Sequence, residues 1–178
     1  MRSTLVSQFG DPRQVIALVD AERVAPAAGE VEVALSLAAI NPSDLIPVTG
    51  AYSARTTLPF VPGFEGFGTV SRIGPGVTSL KIGDRVVPIG ASGLWQEYLI
   101  RPAEGCFAVP EDIGETDAAT CYVNPLTALQ LIEALRTHFG SLEGRRVGVT
   151  AAGSAIGGML MKLLAGEGAD ATGIVRSE

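Results

Sequence analysis

The stretch with the most chemistry in it is Val147-Gly148-Val149-Thr150-Ala151-Ala152-Gly153-Ser154-Ala155-Ile156-Gly157. A short apolar run, a turn of small residues and then a helical pattern form the order that a pyrophosphate site needs. Small side chains let the main chain approach the phosphates. The first turn of the helix offers unpaired N–H groups at the positive end of its dipole. Ala152, Ser154 and Gly157 stand at the glycine positions of G-x-G-x-x-G, with Gly153, Ala155 and Ile156 between them. Since Ala152 and Ser154 replace glycines, a tight strand-to-helix turn without a ligand is an equal reading. The next apolar run ends Ile174-Val175-Arg176-Ser177-Glu178. An acidic side chain there suits a ribose 2′-hydroxyl and an arginine suits a 2′-phosphate. Arg176 and Ser177 therefore favour NADP(H), against which stand Glu178 and the plain reading of a solvated arginine.

Other reactive residue types read more simply. The lone histidine, His138, sits near a helix C-terminus, where a cation suits the dipole. Cys106 and Cys121 lie in apolar settings and are expected in the core. Glu65 follows a Pro-Gly turn and reads as either a buried structural carboxylate or a site residue. Trp95 reads as a core aromatic or as the lining of a substrate cleft, and Tyr52 as a loop aromatic whose ring packs while its hydroxyl meets water.

The elements that must position these residues change character along the chain. Short strands are expected at Ser3–Phe9 and Gln14–Val19, with Asp11-Pro12 as the turn between them. Glu30–Leu37 places Val31, Val33, Leu35 and Leu37 on alternate positions, which predicts one buried face and one exposed face. Gly66–Ile73, Asp84–Pro88, Trp95–Ile100 and Cys106–Val109 are further strands, divided by glycine-rich turns. Many short strands at close spacing suggest a barrel or sandwich.

After Pro110 the pattern becomes helical. Glu115–Tyr122 predicts a short helix. Asn124-Pro125 then opens a longer one, with Asn124 as N-cap, Pro125 at the first position, and Leu126, Leu129, Ile132 and Leu135 on one face. Arg146–Thr150, the Ala151–Gly157 turn, a helix to about Glu167 and Asp170–Val175 make a βαβ unit with parallel strands and a right-handed crossover. The expected organisation is a β domain over 1–120, then a linking helix and the first βαβ of a nucleotide-binding domain over 121–178. Two parallel strands and one helix cannot cover both faces of such a sheet, so the chain reads as truncated within it.

Composition bounds the function. The 178 residues carry a net charge of −6, which argues against nucleic acid or an anionic membrane as partner. One histidine and two cysteines make a Cys/His metal site improbable and a disulfide framework impossible to build. No apolar run reaches the length of a membrane span, and Met1–Gly10 has no signal-peptide core, so a cytoplasmic protein is expected.

Asn41-Pro42-Ser43-Asp44, Gly50-Ala51-Tyr52, Leu58-Pro59-Phe60-Val61-Pro62-Gly63-Phe64-Glu65-Gly66, Gly68-Thr69-Val70 and Gly83-Asp84-Arg85-Val86 follow one another in order. This series resembles the medium-chain dehydrogenase/reductase superfamily over essentially the whole chain. The resemblance implies an α/β plus β architecture: a GroES-like β-barrel catalytic domain followed by an incomplete Rossmann domain. Zinc alcohol dehydrogenases of that superfamily need cysteine and histidine ligands, whereas this chain has Asn41 and Phe64 at the corresponding positions. The resemblance therefore points to its zinc-free members.

Tyr122-Val123-Asn124-Pro125-Leu126-Thr127-Ala128, Gly93-Leu94-Trp95 and the Asn41/Tyr52 pair are most similar to mitochondrial-type trans-2-enoyl thioester reductases. That likeness implies NADPH as cofactor and an enoyl thioester or enone as acceptor. It implies Tyr52 as proton assistant, and Asn41, Asn124 and Thr127 around the nicotinamide. It also implies the Ala152–Gly157 turn on the pyrophosphate, Arg176 on the 2′-phosphate, Trp95 in the acceptor cleft and a homodimer for the full-length form. Quinone reductases carry a tyrosine in the same region, so an NADPH:quinone oxidoreductase is the alternative. A third reading, from another class, is a truncated non-catalytic module that binds a partner or self-associates through an open sheet edge.

Overall fold

The computed structural model describes residues 1–176. The chain divides into two compact units, Met1–Thr120 and Cys121–Glu178.

In the first unit β1 (Arg2–Val6) and β2 (Ile16–Asp20) form an antiparallel pair, joined through the short helix α1 (Pro12–Val15). Asp11 caps α1 by accepting from the Arg13 N–H, so helical backbone takes Gln14 and Val15 out of the expected second strand. A five-stranded antiparallel sheet follows, built from β3 (Glu30–Ala38), β4 (Gly66–Ile73), β5 (Arg85–Pro88), β6 (Tyr98–Pro102) and β7 (Cys106–Ala108). Its spatial order is β6-β3-β4-β5-β7. The loop between β3 and β4 holds α2 (Pro42–Thr49) and a 3₁₀ turn at Ser53–Arg55. Val31, Val33, Val70 and Val86 form the sheet's buried centre, each worth about 1.5–3 kcal/mol of apolar burial.

The alternation expected along β3 fails at Glu32 and again at Leu37. Glu32 lies between two buried valines and is itself fully buried, because the β3–β4 register shifts between Glu32 and Val33. Its carboxylate accepts from Arg23 Nε (2.9 Å) and Nη2 (2.5 Å), Arg72 Nε (2.9 Å), Arg72 Nη2 and Ser71 Oγ (2.6 Å). Arg23 in turn stacks 3.7 Å over the Tyr98 ring. Burial pushes the Glu32 pKa up, but the two guanidiniums and the hydroxyl more than reverse this and hold it well below the usual carboxylate range. Leu37, expected on the inward face, is partly exposed at the far end of the strand.

The expected strand Trp95–Ile100 begins later, at Tyr98. Trp95 pairs with a loop and with β1 instead: its N–H donates to the Pro62 carbonyl and its carbonyl accepts from the Thr4 N–H.

The second unit contains α4 (Val123–Phe139), β8 (Arg146–Thr150), α5 (Ala155–Gly166) and β9 (Asp170–Ile174), while α3 (Glu115–Ala119) ends the first. β8 and β9 are parallel, with Arg146 opposite Asp170 and Thr150 opposite Ile174. Ile132, Leu142, Val149 and Leu164 form the core between α4, α5 and the strands. Asn124 is not the N-cap of α4. Tyr122 holds that position, and Pro125 is tolerated two positions deeper, at the third helical residue, because N–H groups of a first turn have no intrahelical acceptor. The buried stripe of α4 is Ala128, Ile132 and Leu135, whereas Leu126 and Leu129 are exposed. Cys106 is buried as expected, but Cys121, expected in the core, is exposed where the second unit begins. Among the described residues no helix is long and apolar enough to cross a membrane.

Candidate active site

The sequence Asn-Pro-Ser-Asp sets up the first site locally. Pro42 fixes the start of α2, and the Asp44 side chain reaches back to accept from the Asn41 N–H at 2.6 Å, one half of a capping box. The other Asp44 oxygen accepts from the Phe64 N–H at 2.9 Å, tying α2 to the loop before β4. Asn41 Nδ2 donates to Glu65 Oε1 at 2.8 Å. All three side chains, Asn41, Asp44 and Glu65, are buried. Burial pushes the Asp44 pKa up and the Glu65 charge adds to it, opposed by the Asn41 and Phe64 amides. Glu65, open between two roles from sequence, is thus a buried carboxylate that orients Asn41.

Gly50 closes α2 in the left-handed conformation (φ 86°), and Tyr52 then heads the 3₁₀ turn. Tyr52 is half exposed and lines a cavity of about 310 Å³ together with Arg55, Thr56, Thr57, Phe64 and Ser92. Trp95 lines a different groove of about 380 Å³, with Leu37, Ile40 and Leu94. Its indole N–H donates to the Ala39 carbonyl at 3.0 Å. Gly63 lies against its ring: a Cβ there would stand 2.4 Å from Trp95 Cδ1, on a backbone with φ 96°. Tyr52 and Trp95, both expected at the acceptor, therefore occupy separate hollows. Arg55, Thr56, Thr57 and Ser92 were not singled out by sequence. The signal for Arg55 was its place three residues after Tyr52.

In the second unit, the turn after β8 has the geometry of an anion site. Ser154 caps α5, its Oγ accepting from the Gly157 N–H at 3.1 Å. The Gly158 N–H goes to the Ser154 carbonyl, so Ala155 and Ile156 hold first-turn N–H groups that have no intrahelical acceptor. Ala151, Gly153, Ser154, Ile174, Val175 and Arg176 line one cavity of about 520 Å³ at the C-terminal ends of the parallel strands. Gly157 is required by packing: a Cβ there would lie 2.4 Å from the Ala151 carbonyl oxygen. Ala152 is tolerated at a glycine position because its methyl rests on Gly173 of β9, where a Cβ would come within 2.9 Å. Ala151 takes the strained left-handed turn conformation (φ 51°).

Not every expected phosphate residue faces that cavity. Ile156 and Gly157 line a groove toward α4 of about 540 Å³, and Ala152 packs into the core. Ser177 and Glu178 lie outside the described residues. Asn124 and Thr127 are three apart near the start of α4 and share a face. The Thr127 hydroxyl donates to the Val123 carbonyl at 2.6 Å, so its lone pairs remain to accept. Among the described residues no three His, Cys, Asp or Glu side chains cluster as metal ligands.

The family model of the alcohol dehydrogenase GroES-like domain matches residues 27–111. A β-rich unit of that kind, followed by a parallel βαβ with its helix N-terminus at the strand ends, matches the architecture of solved medium-chain dehydrogenase/reductase enzymes. The chain's likenesses run to two branches. The mitochondrial enoyl-[acyl-carrier-protein] reductase of Rattus norvegicus is 34% identical over 178 residues, covering 99% of this chain and 47% of the relative. Among solved structures, a Bacillus thuringiensis protein assigned to the NADPH:quinone reductases superposes with TM-score 0.90 at 34% identity, covering 99% of this chain and 52% of that one. The Escherichia coli quinone oxidoreductase, solved with NADPH, gives TM-score 0.87 at 27% identity, covering 99% and 53%. The chain spans about half the length of the relatives it matches.

Proposed function

We propose that this chain contributes the acceptor site and the phosphate-binding turn of an NADPH-dependent, zinc-independent reductase that acts on α,β-unsaturated thioesters or ketones. The observation that carries the reading is the cavity at the ends of β8 and β9, where the Ser154-capped helix and Arg176 line the same space. The Ala155 and Ile156 amides and the α5 dipole suit a pyrophosphate, and the Arg176 guanidinium suits a 2′-phosphate. NADPH present in the Escherichia coli relative supports the same assignment.

When bound, the nicotinamide supplies a hydride to the β-carbon of the activated double bond. The chain's own residues then have three tasks. Thr127, its hydroxyl hydrogen already bonded to the Val123 carbonyl, offers an acceptor to a carboxamide N–H, with Asn124 beside it on the same helical face. Asn41, oriented by Glu65, offers an amide dipole suited to a polarised acceptor. Tyr52 carries a phenolic O–H into its cavity, where it can donate to the developing enolate oxygen or protonate the α-carbon. Zinc independence is supported by the donor set. Asn41 is a neutral amide engaged with Glu65, and Phe64 offers no lone pair.

The alternative is an NADPH:quinone oxidoreductase, favoured by the likeness to the two solved quinone reductases. Oxidation of NADPH measured with a short enoyl-CoA and, separately, with a benzoquinone decides between them. Turnover of the enoyl-CoA, with kcat lowered about a hundredfold in Tyr52→Phe and KM little changed, is the expected result. Turnover of the quinone alone selects the alternative. Absence of both turnover and NADPH binding leaves the non-catalytic module.

A further inference from the structure

We propose that Arg55 is the anion-recognising residue of the Tyr52 cavity and selects acceptors that carry a phosphate or a carboxylate. This rests on the reading of that cavity as the acceptor site.

The placement follows from the turn. Tyr52 caps the 3₁₀ segment Ser53–Arg55, and its carbonyl accepts from the Arg55 N–H at 2.8 Å. Side chains three apart in a 3₁₀ turn lie one above the other, and both Tyr52 and Arg55 line the same hollow.

The electrostatic setting is distinctive. Every other arginine of the first unit has a partner. Arg2, Arg13, Arg23 and Arg72 pair with carboxylates. Arg85 donates to the Pro110 and Ile113 carbonyls, and Arg101 to those of Ala91 and Ser92. Arg55 has no partner among the described residues. The lining beside it supplies the hydroxyls of Thr56, Thr57 and Ser92 and no carboxylate. Arg101 donates to the carbonyl of the lining residue Ser92 and has no acidic partner among the described residues either. Asp44, bonded to the backbone of the lining residue Phe64, is turned to the Asn41 and Phe64 amides.

A planar guanidinium with two or three hydroxyls and no competing acid is a receptor for an oxyanion, which it can grip with two parallel N–H bonds. On the order of 6 Å of rise separates the Tyr52 and Arg55 backbones. Two sources of the anion meet that reach: a carboxylate a few bonds from the double bond, or the phosphate of a pantetheine-type thioester arm folded back across the turn.

Matched pairs of probes separate these sources. Amide NMR titration of the whole chain would compare 4′-phosphopantetheine with pantetheine, and crotonate with crotonamide. The expected result is that at least one anion binds about tenfold more tightly than its neutral partner, with shifts centred on Arg55–Thr57. The preference should be lost in Arg55→Gln and partly kept in Arg55→Lys. Preference in the first pair identifies phosphate and in the second carboxylate. No preference in either pair, or one that survives in Arg55→Gln, overturns the proposal. Enoyl-CoA turnover without anion preference would sink the Arg55 role alone. Anion preference without NADPH-dependent turnover would sink the reductase reading alone.

Discussion

Glu32 and Asp44 are both buried carboxylates of the first unit, 0% and 1% exposed, yet they are held in opposite ways. Glu32 sits in the sheet between two guanidiniums, and its negative charge is cancelled on the spot. Asp44 is bound to the backbone amide of Phe64, a residue of the Tyr52 cavity, and to that of Asn41, with a neighbouring acid, Glu65, but no cation. The contrast separates a device that locks strands and loop together from one that sets the course of a loop beside a site. Arg23 and Arg72 are committed to Glu32 in the sheet, while in the cavity lining Arg55 has no acidic partner among the described residues.

The largest expected effect comes from breaking the lock. Glu32→Gln leaves Arg23 and Arg72 facing each other across a buried amide and should cost about 3–5 kcal/mol in urea unfolding. Asp44→Asn keeps the shape of its side chain and an acceptor for one of the two amides, so a smaller loss is expected, about 1–2 kcal/mol. Equal losses would erase the distinction.

The pH dependence sharpens the comparison because the two signs differ. Glu32 has a folded pKa below its unfolded value, so its stabilisation is complete above the unfolded pKa and is lost as pH falls below about 4.5. Asp44 has a folded pKa above its unfolded value. Its contribution is fully present below about 3.8 and declines as pH rises through the folded pKa. Urea unfolding from pH 3 to pH 7 should therefore show the Glu32→Gln deficit shrinking toward acid. The Asp44→Asn deficit should shrink in the other direction, toward neutral pH. Deficits that both shrink toward acid would mean that Asp44 is held by a countercharge after all.

Much of this molecule could be read from local rules. Gly66–Ile73 and Arg146–Thr150 follow directly from their apolar patterns, and the parallel pairing of β8 with β9 follows from the intervening helix. The departures have long-range causes. Glu32 belongs to an exposed face by alternation, but a register shift and arginines nine and forty residues away make burial favourable. Trp95 left its strand because Pro62 and Thr4 claim its backbone. At the candidate sites, a strand-to-helix turn of small residues ending at Gly157 was legible in the sequence, whereas the Ser154 cap was seen only in the structure. The division of that turn between a cavity toward Arg176 and a groove toward α4 was not legible either, since it depends on which way each residue points after folding. Arg55 was missed because an arginine in a loop looks solvated until its neighbours are seen to be fully paired.

The smallest effect extends the contrast between a sealed sheet and an open segment to the two thiols. Cys106 is buried at the start of β7, and burial pushes its pKa up to about 11 even though Arg101 pulls it back. Thiolate, not thiol, attacks a disulfide reagent, so both access and charge protect Cys106. Cys121 lies exposed between α3 and α4. An aromatic disulfide reagent at pH 8 should therefore release one equivalent of thiolate quickly, assigned to Cys121 by its loss in Cys121→Ser. The second should appear only with unfolding, at a rate that rises in urea and rises further in Glu32→Gln, because Cys106 shares its core cluster with Val31 and Val33 on either side of Glu32. Fast labelling of both thiols in the native protein would show that the sheet opens far more readily than its paired charges imply. A Cys106 rate unaffected by Glu32→Gln would show that the arginine lock and the β7 edge open independently.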